Sequence, residues 1–355
     1  MSRTGLNVPI ITVLDDAGEI IESDQRQVIH HVIQDGYGAN SVFLSGTTGE
    51  FDKLSNRQRQ RLLEIGCEEV RRINQRLSCD DNRAYVPVEA WAGVTAPTKA
   101  ETLDNLVLAV QLKADMAVIA PMAIDDLRLD KVVSFFEREV AAIIHDAEFL
   151  TIALYDNPDI ASDRAAVRHI PIAIVETLSR LPFVVCLKAS TSRDVLQQHM
   201  RVSLMNAASD AFDVYVGNAA LIFELEDIQR EVGVDDRMAL SGVVSGPANL
   251  LPCEWRATWQ AVVDRDATLL KRYQQIFARF DDLCFFGQGS KRIAKGIAAI
   301  KRAMYKQHLI SSPCVSPGTP ALSGDEAKRF DDDLAAFFEE LRSGANRTSL
   351  SLYSV

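Results

Sequence analysis

The feature that most constrains this chain is a rhythm. Short β-rich runs recur about every 30 residues, and each is followed by a stretch with helical patterning. Strands are expected at 8–14, 41–45, 85–90, 116–120, 150–155, 183–188, 212–216 and 238–244. Eight strand–helix units in series predict a closed parallel (β/α)8 TIM barrel, in fold class α/β. An open doubly wound sheet is the structural rival. It would want a glycine-rich dinucleotide turn after the first strand, where this chain has Asp15, Asp16, Ala17 and Gly18. Helix signals support the units. Ser23 is placed to cap the first helix and Gly36 to end it. Ser55-x-x-Gln58 reads as a capping box for a helix through Leu77, and Thr98-x-x-Glu101 starts another. A helix is expected over 129–144. Beyond Pro252 the pattern is helical only, at 254–264, 267–281, 290–307 and 324–342, with a Ser/Pro-rich linker over 311–320. The expected organisation is a catalytic barrel over 1–250, a C-terminal helical domain over 251–343 and a flexible tail over 344–355.

Bulk properties narrow the partners. The 355 residues are 47% hydrophobic and 25% charged, enough for one large core. A net charge of −11 repels phosphate backbones, so nucleic acid is not an expected partner. No apolar run approaches the ~20 residues of a membrane span, and the N-terminus lacks the apolar core of a signal peptide. The six cysteines form no Cys-x-x-Cys pair and read as free thiols in a reducing, cytoplasmic compartment. The six histidines include His30 and His31 but no metal-binding spacing, so no metal is expected.

Three places at the carboxyl ends of expected strands can carry chemistry, since that is the working face of such a barrel. The strand 183–188 ends on Lys188. By period-2 alternation Val184, Cys186 and Lys188 share one face, and Phe183, Val185 and Leu187 the other. The ordinary alternative is a lysine that reaches solvent or pairs with a carboxylate. The second strand runs into Gly46-Thr47-Thr48-Gly49-Glu50, whose hydroxyls and amides suit a carboxylate or phosphate; a plain glycine-rich turn is the alternative. The fifth strand ends on Tyr155, which shares parity with the small residues Thr151 and Ala153. A buried phenol can move a proton, although a core aromatic is the commoner case. Together they form a coherent device. A lysine with pKa ~10.4 is neutral in about 1 part in 2,500 at pH 7. Desolvation that brings it to ~7–8 would make Lys188 a nucleophile for a ketone.

In order and spacing, Gly46-Thr47-Thr48-Gly49-Glu50, Tyr155-x-x-Pro158 and Leu187-Lys188 resemble the dihydrodipicolinate synthase / N-acetylneuraminate lyase family, over residues 8–341. The resemblance implies Schiff-base lyase (aldolase) chemistry on pyruvate or a related 2-oxo acid, with no metal or organic cofactor beyond the covalent link through Lys188. It also implies a homo-oligomer, usually a tetramer built of dimers. By that likeness Lys188 is the covalent residue, Tyr155 the proton shuttle and Thr48 a catalytic hydroxyl. Gly46, Thr47 and Thr48 would hold the substrate carboxylate, with Gly217, Asn218 and Val243 as further substrate contacts.

Departures from the family pattern bear on the partner substrate. Members that make dihydrodipicolinate usually carry an arginine at the position of Ile160 and a relay tyrosine at that of Ala123. Sialic-acid lyases place acidic residues where this chain has Asn218, Ala219 and Ala220. Ile160, Met122, Ala123 and Trp91 point to a less polar pocket. The reading is therefore an aldolase with an unassigned aldehyde partner. The alternatives are a dehydratase or dihydrodipicolinate synthase with a rearranged site, a non-catalytic 2-oxo-acid binder, and a phosphate-binding barrel of unrelated chemistry. Two weaker motifs, Gly287-Gln-Gly-Ser-Lys291 and Asn346-Arg-Thr348, read as a turn and a chance glycosylation match.

Overall fold

A computed structural model describes residues 4–79, 86–147, 149–206, 212–234, 238–287 and 292–344. Eight parallel strands pair in chain order and close on themselves: β1 (Gly5–Pro9), β2 (Ser41–Leu44), β3 (Glu89–Gly93), β4 (Met116–Ile119), β5 (Thr151–Asp156), β6 (Val184–Ala189), β7 (Asp213–Val216) and β8 (Gly242–Val244). The expected (β/α)8 barrel is the fold. Alternation along the strands divides the apolar residues into two cores. Phe43, Trp91, Met116, Val118, Ala153, Tyr155, Cys186, Tyr215 and Val244 fill the barrel. Leu44, Ala92, Ile119, Leu154, Leu187, Val214 and Val243 face outward and pack with the helices. Inside, the Trp91 and Tyr215 rings meet edge to face at 5.0 Å.

Several strands begin or end away from their apolar runs. β1 occupies Gly5–Pro9 rather than 8–14, because burial continues past the ladder: Ile10, Ile11 and Val13 are buried although they lie beyond the strand. β3 is Glu89–Gly93 rather than 85–90, and Tyr85 lies outside the described residues. β8 is shortened to Gly242–Val244, with Ala239 and Leu240 buried ahead of it.

Helix starts are mixed. Ser55 and Gln58 form the expected reciprocal cap of the helix Asn56–Leu77, and the Thr98 side chain accepts from the Glu101 amide. Ser23 does not cap. It lies inside the helix Glu22–Ile33, whose N-cap is Ile21. The run 129–144 is not one α-helix, since Phe135–Val140 forms a π-helical segment between short α turns.

After β8 the helix Pro252–Val263 packs on β1, and the helices Ala267–Leu283, Gly296–Lys306 and Gly324–Gly344 form the C-terminal helical part. The helix expected from 290 starts at Gly296, because Ile293–Ala294 instead pairs with Phe285–Phe286 as a small antiparallel ribbon. The motif at 287–291 falls almost wholly outside the described residues, as does Asn346-Arg-Thr348. Among the described residues, no helix is long and apolar enough to cross a membrane.

Candidate active site

Lys188 is the penultimate residue of β6 and sits in register between Tyr155 of β5 and Tyr215 of β7. The strand carries a bulge ahead of it. Ile152 pairs with Val184 and the next residue, Ala153, with Cys186, so Val185 is an extra residue in β6. The alternation expected for this strand therefore fails at one point. Val184 packs in the outer core, whereas Cys186 and Lys188 point into the barrel. Val185 packs against the interior core instead, Leu187 faces outward, and Lys188 keeps the inward face that plain alternation gives it.

The amine is sunk among rings and hydroxyls. Lys188 is 4% exposed. Its Nζ lies 3.5 Å from the centre of the Tyr155 ring and 5.2 Å from that of Phe43, and it donates to Ser190 Oγ at 3.3 Å. Burial holds the amine below the ordinary lysine range, and Tyr155 acts in the opposite sense. The Tyr155 phenol is likewise buried, which would raise its pKa. The neighbouring Lys188 charge, with hydrogen bonds from Lys188, Thr47 and Ser190, brings it below its ordinary value instead. Tyr155 Oη is 2.9 Å from Thr47 Oγ1 and accepts from Asn157 Nδ2 at 2.9 Å. Asn157 also accepts from the Asp159 amide through Oδ1, so its amide orientation is fixed at both ends. On the outward face of the strand end, Asp156 accepts from His199 Nε2 at 2.9 Å and from the Ile170 amide at 3.1 Å. These bonds tie β5 and its following loop to the helix Arg193–Asn206.

Thr47–Gly49 forms a tight turn, flanked by Ser45 (φ 55°) and Glu50 (φ 59°) in the left-handed region. The Glu50 amide closes the turn on the Thr47 carbonyl at 2.9 Å. The first amides of such a turn have no partner within it and can face a ligand. A cavity of about 460 Å³ opens over this face. Lys188, Tyr155, Thr47, Thr48, Gly217 and Asn218 line it together, as the sequence placed them.

Two expected contacts are elsewhere. Val243 faces the outer core and is fully buried; its neighbour Val244 has the inward parity and lines the cavity. Gly46 does not line it. A Cβ there would lie 2.6 Å from the Phe43 ring, so Gly46 makes room for the barrel core beneath the turn. The pocket is also more polar than the departures implied. Asn157, Asp159, Ser190, Thr191 and Ser192 join the walls. Trp91 is fully buried below, its indole donating to Glu89, and Met122 packs in the outer core. Ile160 and Ala123 lie against the interior core near Tyr155. Asn157 and Ser190–Ser192 are not among the residues expected from the sequence, although each lies within four residues of Tyr155 or Lys188. Among the described residues, no group of three or more His, Cys, Asp or Glu side chains could hold a metal ion.

Comparison with known proteins bears on the fold and on part of the sequence. The model of the dihydrodipicolinate synthetase family matches residues 2–74. No curated protein matches the chain. Among solved structures, dihydrodipicolinate synthase from Bacteroides thetaiotaomicron superposes with a TM-score of 0.74 at 19% identity, covering 95% of this chain and 100% of that one. YagE of Escherichia coli K12, a prophage protein of the dihydrodipicolinic acid synthase family in complex with pyruvate, gives 0.72 at 19% identity, covering 94% and 98%. CdNal from Clostridium difficile, in complex with mannosamine, gives 0.71 at 15% identity, covering 94% and 99%. The resemblance read from the motifs therefore holds: the chain is similar to the dihydrodipicolinate synthetase family in sequence over residues 2–74, and it shares the fold of these proteins over nearly its whole length.

Proposed function

We propose that the chain is a class I aldolase-type lyase that makes or breaks a carbon–carbon bond beside a Schiff base formed between Lys188 and pyruvate or a related 2-oxo acid. The observation that carries this reading is the state of Lys188. It is a buried lysine inside the barrel, bonded to a hydroxyl rather than a carboxylate, at the floor of a cavity that also holds Tyr155 and the Thr47–Thr48 turn. Burial favours the neutral amine, which is the nucleophilic form.

In the synthetic direction the Lys188 amine adds to the ketone carbon. Water leaves and a protonated imine forms. Loss of a proton from the adjacent methyl group gives an enamine. The enamine carbon attacks the carbonyl carbon of an aldehyde, and the oxygen takes a proton. Water then hydrolyses the imine and returns the free amine. Tyr155, held by Thr47 and Asn157, is the group within reach to carry protons to and from substrate oxygen. The Thr47 and Thr48 hydroxyls and turn amides serve the carboxylate of the 2-oxo acid. Ser190, Thr191, Ser192 and Asn218 form a wall of hydroxyls and an amide that suits an aldehyde bearing hydroxyl groups. The same reading carries with it a cytoplasmic homo-oligomer, the state the family resemblance implies.

The test is turnover. Purified protein is incubated with pyruvate and a panel of hydroxylated, unsubstituted and carboxylated aldehydes, and pyruvate consumption is followed with Lys188→Ala as control. Consumption with at least one aldehyde, absent from the variant, supports the lyase. No turnover with any of them, while pyruvate still binds, would leave the non-catalytic binder in its place.

A further inference from the structure

Below the Thr47–Gly49 turn lies a second buried lysine that the proposed chemistry does not use. Lys301 belongs to the helix Gly296–Lys306 of the C-terminal helical part and is fully buried. Its Nζ forms an ion pair with Glu50 Oε2 and donates to the Cys314 carbonyl at 2.8 Å. The other oxygen, Glu50 Oε1, accepts from the Ser316 amide at 2.7 Å. Glu50 is 1% exposed, so both of its oxygens are held by the C-terminal part and none by solvent.

Glu50 is also the residue that ends the turn, in a left-handed conformation that is strained for a non-glycine residue. Such a conformation persists where its surroundings fix it. Here the fixing groups are Lys301 and Ser316, more than 250 residues away in sequence. The turn is gripped from the barrel side as well, where Thr12 Oγ1 donates to the Gly49 carbonyl at 2.6 Å. Stability alone does not explain a buried ion pair, since apolar residues of similar volume often serve as well or better. What the pair supplies is direction. It fixes one end of the turn whose other end presents Thr47 to Tyr155.

We infer that Glu50 and Lys301 are positioning residues through which the C-terminal helical part holds the Thr47–Thr48 turn in its substrate-binding shape. The inference rests on the reading that this turn receives the 2-oxo acid carboxylate. It assigns the C-terminal part a role in the site without placing it in contact with substrate.

The decisive variant is Glu50→Gln/Lys301→Met, which removes both charges and keeps the volume; Glu50→Asp, which retains the charge on a shorter arm, replaces it if the double variant does not fold. Two readings are taken in protein shown to be folded by its thermal midpoint. The first is amide hydrogen exchange of the peptide spanning 44–54. The second is the pyruvate concentration that half-saturates borohydride trapping. The expected result is exchange faster by about tenfold or more, with half-saturation raised about 10- to 100-fold and the adduct at saturation still on Lys188. Exchange at the parent rate overturns the inference. So does faster exchange with unchanged half-saturation, which would make the pair merely structural. If the parent protein itself traps no pyruvate, the Schiff-base reading fails separately, and exchange alone decides whether the pair holds the turn.

Discussion

Two buried lysines sit within one site region and have opposite surroundings. Lys188 and Lys301 are 4% and 0% exposed, and burial pushes both amines below the ordinary lysine range. Lys301 faces the Glu50 carboxylate, which pulls its pKa back toward the charged form. Lys188 faces two aromatic rings and the Ser190 hydroxyl. The same side chain at similar depth is a strut in one place and a candidate nucleophile in the other. What differs is whether a carboxylate is within reach. On the proposed reading, depth without a carboxylate partner marks a reactive lysine better than depth alone.

The contrast can be broken most sharply at Lys188. Lys188→Ala should abolish pyruvate trapping and turnover, read by intact mass and by pyruvate consumption. Lys188→Met should cost little stability or none, because it removes a desolvated amine that has no carboxylate to strand. A severe loss of stability in that variant would show that Lys188 is a strut as well. Tyr155→Phe comes next, with an expected loss of about 10²–10⁴ in turnover if the phenol carries the proton. Retained turnover would move that role to another group.

At Lys301 the expected effect is on stability. Lys301→Met alone leaves Glu50 charged and buried and should cost about 3–5 kcal/mol in urea unfolding, whereas Glu50→Gln/Lys301→Met should recover most of that loss. A single variant as stable as the parent would mean that the pair is not a strut. The smallest effect is a shift in pH dependence. The trapping rate should rise with pH through an inflection below the ordinary lysine range, because burial favours the free amine. Tyr155 acts to raise the Lys188 pKa, so Tyr155→Phe should move that inflection to lower pH. A move to higher pH would show that the phenol does not stabilise the ammonium.

The sequence made one lysine of this pair visible and not the other, for a physical reason. Lys188 ends an apolar strand, and a charge at that point of a β-rich run stands out against its neighbours. Tyr155 and the Thr47–Thr48 turn were legible in the same way, as strand-end residues in a barrel whose rhythm was plain. Lys301 lies in a helix beside Arg302, where a lysine ordinarily faces solvent, and its partner Glu50 is 251 positions away. No local pattern connects them. The bulge at Val185 was equally hidden, since strict alternation and alternation with one extra residue read alike in Phe183-Val-Val-Cys-Leu-Lys188. It displaced Val184 and Val185 without moving Lys188. At Val243 the error was one of parity: a shift of one residue exchanges the interior for the outer core. The pocket's polarity was misjudged because Trp91 and Met122 lie in the packed cores, while Ser190, Thr191 and Ser192 come from the loop just beyond β6.

The measurement that tests the account most directly is borohydride reduction in the presence of pyruvate, followed by intact mass and peptide mapping of the folded protein. The account predicts one pyruvate-derived adduct, on Lys188, with Lys301 unlabelled and no adduct in Lys188→Ala. Folded protein that gains no adduct with pyruvate or related 2-oxo acids, or that carries it on another lysine, would contradict it.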